Sequence, residues 1–129
     1  MWADAEAMTL AYLQEALPPL LEASGDYDPV ALSTTAPEEP PPRLVRVMLS
    51  GSERRTVVHR DSKITLECWS NQGEAEASRL MEHVYAAIDA WDLVPPFGGW
   101  PSGPYLQPDP TTGTPRYVAT CLVRHRAED

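Results

Sequence analysis

Apolar and polar residues alternate with two different periods along residues 63–91, and the change of period falls at a turn. Ile64, Leu66 and Cys68 alternate with Thr65, Glu67 and Trp69, the period of two expected of a strand with one covered face. After Ser70-Asn71-Gln72-Gly73, the residues Ala77, Leu80, Met81, Val84, Ala87, Ile88 and Trp91 recur at steps of three and four, which predicts a helix with a single apolar stripe. Ser70 or Asn71 is placed to cap its start, and Glu74 and Glu76 put negative charge at the positive end of the helix dipole. Pro95-Pro96 and Gly98-Gly99 forbid its continuation. A turn this short folds the helix back onto the sheet, so that its stripe covers Ile64, Leu66 and Cys68.

The remaining pattern is weaker. From about Asp4 to Leu17 good helix formers dominate, with Leu10, Leu13 and Leu17 on one face, widened by Met8 and Tyr12. Pro18-Pro19 is expected to end or sharply kink that helix, with Leu20 and Leu21 adding at most another turn. Residues 24–42 read as an extended connection. Arg43 to Ser50 alternates as a strand with an accessible side, Gly51-Ser52-Glu53 turns the chain, and 55–60 returns as a short or irregular strand. Residues 95–115 hold seven of the 14 prolines and read as a second extended loop, with a brief strand near 103–107 and a turn at Pro108-Asp109-Pro110-Thr111-Thr112-Gly113. Residues 116–126 alternate as a full strand. The order α-β-β-α-β-β predicts an α+β fold: a mainly antiparallel sheet of about four strands with helices packed mostly on one face.

Composition narrows the picture. A chain of 129 residues has room for one core, and 43% hydrophobic with 22% charged residues is ordinary for a globular protein. We expect a single domain over 1–129. The net charge of −9 is uneven: residues 1–42 carry eight acids and no Lys or Arg, whereas the remainder carries eleven acids against ten bases. That balance argues against a dedicated nucleic-acid binder. No basic segment followed by an apolar run opens the chain and no apolar stretch is long enough for a bilayer, so a cytoplasmic protein without membrane contact is expected.

Tests for chemistry return little. His59, Asp61 and Ser62 are near neighbours in sequence, whereas a catalytic triad gathers its members from separate elements around an oxyanion site. His59, His83, His125, Cys68 and Cys121 show no metal-ligand spacing, and the glycines match no phosphate-binding loop. We therefore expect no catalytic residue, no metal and no cofactor. Cys68 and Cys121 sit among alternating apolar residues and read as small buried hydrophobes. Glu67 and Trp69 share the strand face opposite Ile64, which is either a solvated face or an interface. All but one of the nine arginines fall on the strands or their turns, either as edge charges that deter aggregation or as an electrostatic face toward an acidic neighbour or a nucleic-acid backbone.

RLVRVMLSG, then DSKITLECWS, an Ala-rich helix, and GPYLQPDPTTGTPRY before a closing strand together resemble the tail terminator proteins of long-tailed, siphovirus-type bacteriophages. The resemblance runs from about Tyr12 to Arg126. It rests most on Val45-Arg46-Val47, on Cys68-Trp69, and on Pro108-Asp109-Pro110 with Gly113 and Pro115-Arg116-Tyr117. It implies a small α+β virion subunit, not an enzyme, that forms a hexameric ring on the head-proximal end of the tail tube. Its partners would be further copies of itself, the tail tube protein and a head-completion or connector protein, with DNA only passing through the lumen. On that reading Trp100 and Tyr105 are candidate aromatic anchors, and Arg46, Arg54, Arg55 and Arg116 candidate polar partners, beside Glu67 and Trp69. Another head–tail connector or tail-completion protein, and a small ligand-binding domain or enzyme outside viruses, are the alternatives.

Overall fold

The structure is a computed structural model that describes residues 4–39, 41–54, 59–91 and 97–126. Its elements follow the chain as α1 (Ala5–Ala23), β1 (Ala31–Ser33), β2 (Arg43–Arg54), β3 (His59–Ser70), α2 (Glu74–Asp89), β4 (Phe97–Leu106) and β5 (Arg116–Arg126). The five strands form one mixed sheet in the order β1-β2-β3-β5-β4. The fold is therefore α+β, with both helices on one face.

The inner face is made as the alternation predicts. Val45 and Val47, then Ile64, Leu66 and Cys68, then Ala119, Cys121 and Val123 meet Leu13, Leu17 and Leu21 of α1 and Leu80, Met81, Val84 and Ile88 of α2 in one buried cluster. Burying a side chain of this size contributes about 1.5–3 kcal/mol, so this layer dominates stability. Tyr12 ties the two helices together: its ring stacks on Trp91 at 4.4 Å, and its hydroxyl donates to the Ala87 carbonyl at 2.5 Å.

Five local expectations are corrected. Gly51, Ser52 and Glu53 do not turn the chain but continue β2 to Arg54, in register with Lys63, Ser62 and Asp61 of β3. Pro18 and Pro19 neither end nor replace α1, which runs on to Ala23. Both prolines are exposed while Leu17 and Leu21 are buried on the sheet side. The carbonyls left without intrahelical donors thus lie toward solvent, and tertiary packing outweighs propensity. The 24–42 connection contains β1, which runs parallel to β2 with Leu32 beside Val45. The 95–115 loop contains a strand of 10 residues, β4, antiparallel to β5 with three register shifts. β4 lies at the sheet edge, where Pro101 and Pro104 are tolerated because one side needs no donors. Finally, Ser70 and Asn71 do not cap α2; Gly73 holds the N-cap position without a side-chain bond, and the Ser70 hydroxyl instead accepts from the Gln72 N–H at 3.1 Å.

Gly103 has a strict reason to be glycine. Its φ is +99°, and a Cβ there would come within 2.5 Å of the Ala119 Cα.

Candidate functional site

The sheet face turned away from the helices carries Leu44, Arg46 and Met48 of β2, Thr65, Glu67 and Trp69 of β3, and Arg116, Val118 and Thr120 of β5. The register sets these in rows: Leu44, Trp69 and Arg116 in one, Arg46, Glu67 and Val118 in the next. Glu67 is only 6% exposed. It accepts from Arg46 at 3.3 Å and from Arg116 at 2.8 Å, one arginine for each carboxylate oxygen. Arg116 also donates through Nε to the Gln107 carbonyl at 2.9 Å, and its guanidinium carbon stands 5.9 Å from the Trp69 ring centre. A buried carboxylate held by two cations in this way is a structural tie between three strands.

Two loops cover this face at the Trp69 end. The connection from β1 to β2 and the turn between β4 and β5 stand on either side of a cleft of about 360 Å³, with Trp69 among its lining residues. The turn is stiffened by Asp109, whose Oδ1 accepts from the Thr111 N–H at 2.8 Å and whose carbonyl accepts from the Gly113 N–H at 2.8 Å. The start of β2 is fixed by Arg43, which donates to both oxygens of Asp26 at 2.6 and 3.0 Å. That hydrogen-bonded guanidinium holds the Asp26 carboxyl below its usual range, against the opposing effect of partial burial.

The eight positions singled out in the sequence separate on this frame. Arg46, Glu67, Trp69 and Arg116 come together, but as an internal network: Trp69 is 7% exposed within the single chain, neither a solvated face nor a free one. Trp100 lies elsewhere, stacked on Tyr85 of α2 at 4.1 Å with its indole N–H donating to Asp89 at 2.9 Å, so it clamps β4 to the helix. Tyr105 is 45% exposed on the edge strand β4 and remains open for contact. Arg54 ends β2, opposite Arg60, and Arg55 falls outside the described residues. The sequence reading missed the Arg43–Asp26 pair, although Arg43 is the first base after eight acids, which was the available signal.

The other chemical candidates resolve simply. Asp61 and Ser62 are successive in β3 and so face opposite ways, with Asp61 accepting from Arg124 at 3.1 Å and Ser62 buried. Cys68 and Cys121 are buried free thiols; desolvation pushes Cys121 up to about 12 and Cys68 higher still. Among the described residues no helix is long and apolar enough to cross a membrane. No group of three or more His, Cys, Asp or Glu among them is placed to hold a metal ion. Compared with protein families and with curated proteins, the chain matches none.

Proposed function

We propose that the chain is a bacteriophage tail terminator, a virion subunit that assembles as a ring, hexameric in the family it resembles, on the head-proximal end of the tail tube. There it stops tube polymerisation and offers a docking surface to the head-completion complex, with DNA passing through the ring. One observation carries this reading. The motifs behind the resemblance are scattered through the sequence, yet Val45 stands opposite Cys68 and Cys68 opposite Tyr117, with Arg46 and Arg116 meeting on Glu67. The Asp109 turn stands over the same end of the sheet, beside Trp69. That the quoted motifs meet in one part of the sheet supports this reading.

The activity on this reading is assembly, and its working parts are surfaces rather than a catalytic centre. Tyr105 and the loops that flank Trp69 are the parts of the described chain best placed to meet neighbours. The decisive test is removal of the protein from an assembling phage. Overlong, headless tails are the expected result. Tails of normal length that fail to join heads would reassign the protein to head–tail completion.

A further inference from the structure

Among the described residues four large hydrophobic side chains are exposed: Tyr27, Leu49, Tyr105 and Leu106. Three of them sit at the two lateral edges of the sheet. Tyr105 and Leu106 end β4, the outermost strand on one side. On the other side β1 shields β2 only from Leu44 to Arg46, which leaves Leu49 on an open edge, 48% exposed. The register fixes the way each one points. Leu49 pairs with Ile64, and Leu106 with Tyr117, whose own partner is Cys68, so both leucines lie on the helix side of the sheet. Met48 and Tyr105, paired with Thr65 and Val118, lie on the other side.

The β4 edge is also bare of charge. From Phe97 to Pro115 the only charged residue is Asp109, and its carboxylate is turned onto the N–H groups of Thr111 and Thr112 at 2.8 and 3.3 Å. A partner selected by charge finds nothing to pair with there, whereas an apolar one does. Every residue from Pro101 to Gly113 except Asp109 is exposed, about half of the roughly 20–30 residues a side that a standard interface uses. The chain itself carries the complement. Its β2 edge shows the same arrangement of two successive apolar side chains, Met48 and Leu49, one on each face of the sheet.

We infer that the β4 edge of one copy packs against the β2 edge of a second copy of this chain, with Leu106 against Leu49 on the helix side and Tyr105 against Met48 on the other. This rests on the ring reading above and specifies which surfaces of neighbouring subunits meet. The Leu49 N–H is taken by the Glu6 carboxylate at 2.8 Å, and Pro101 and Pro104 have no N–H, so the seam is made by side chains and not by a shared ladder. The contact is heterologous, since each copy offers one edge of each kind. Repetition therefore closes into a ring where the rotation permits, instead of stopping at a dimer. The leucines on the helix side carry the hydrophobic layer of one copy on into the next.

The test uses the full chain and two variants at exposed positions, Leu49→Asn and Leu106→Asn, with folding checked by circular dichroism. Sedimentation of the parent should show species larger than a dimer, and each variant alone should associate at least about 30-fold more weakly, because every seam it forms lacks one leucine. An equimolar mixture should give a dimer and nothing larger, since a mixed pair has one intact seam and no second. Leu49→Cys and Leu106→Cys supply a readout that does not depend on the asparagine variants folding. A short bismaleimide should couple these two chains to each other and neither to itself, because Cys68 and Cys121 are buried. A parent that assembles while both folded asparagine variants assemble equally well would overturn this seam and leave the ring reading standing. So would a mixture that grows beyond a dimer, or a Leu106→Cys chain that couples to itself. A parent that remains monomeric with tail tubes present would overturn both.

Discussion

Replacing Glu67 by Gln keeps the volume of the side chain and removes the charge on which two arginines converge. Glu67 and Arg116 are 7% and 12% exposed at their side chains and 2.8 Å apart, so little water screens them. Arg46 is 29% exposed and its bond is 3.3 Å. A charge-assisted hydrogen bond contributes about 1.5–3 kcal/mol, and the shorter, drier Arg116 bond belongs at the upper end. Glu67→Gln should therefore cost about 3 kcal/mol, since a glutamine oxygen serves only one guanidinium and leaves both cations without their counter-charge. Arg46→Met should cost about 1 kcal/mol. With a urea dependence of about 2 kcal/mol per molar, the midpoint should fall by about 1.5 M for Glu67→Gln and about 0.5 M for Arg46→Met. Unfolding followed by fluorescence at two protein concentrations separates subunit stability from association. An unchanged midpoint for Glu67→Gln, or an Arg46→Met loss equal to that of Arg116→Met, would refute the assignment of Glu67 as the charge centre of the sheet.

Four further outcomes follow from the geometry. Because Arg43 depresses the folded-state pKa of Asp26, this carboxylate stabilises the fold fully above its unfolded value of about 3.9, and the contribution is lost as pH falls through the lower folded value. The gap in urea midpoint between parent and Asp26→Asn should accordingly be largest near neutrality and close in acid. Gly103→Ala should lower stability by more than about 2 kcal/mol, read from thermal melts, because it adds both a clash with Ala119 and backbone strain. Pro19→Ala, at an exposed position inside α1, should stabilise by about 1–3 kcal/mol in the same melts. Cys68 and Cys121 should resist thiol reagents near pH 8 in the folded chain and react with both sulfurs once it unfolds, as mass spectrometry would count.

The parts of the fold legible in the sequence are those with two constraints acting on the same residues. β3, α2 and β5 each bury one face against a partner, and that burial writes a period of two or near 3.6 into the chain. β1 leaves no such mark because its three residues are all half-buried and contribute only a short parallel pairing. β4 is disguised by Gly98, Gly99, Pro101, Gly103 and Pro104, which a central strand would not hold but an edge strand with register shifts can. The site follows the same logic. Residue type marked Arg46, Glu67, Trp69 and Arg116 as sociable side chains, but their meeting depends on the register between β2, β3 and β5, which is set by long-range pairing and is not written in any local stretch.

The open side of β4 bears on aggregation. A flat unpaired strand of 10 residues would invite copies of the chain to add edge to edge and grow into fibres. Pro101 and Pro104 supply no N–H to such a ladder, so a foreign strand laid along β4 meets missing rungs in its middle. At the opposite edge β1 pairs with β2 only from Leu44 to Arg46, and beyond it the Leu49 N–H donates to the Glu6 carboxylate at 2.8 Å. Backbone pairing along β4 is thereby hindered, and edge-to-edge growth from that side finds no continuous ladder.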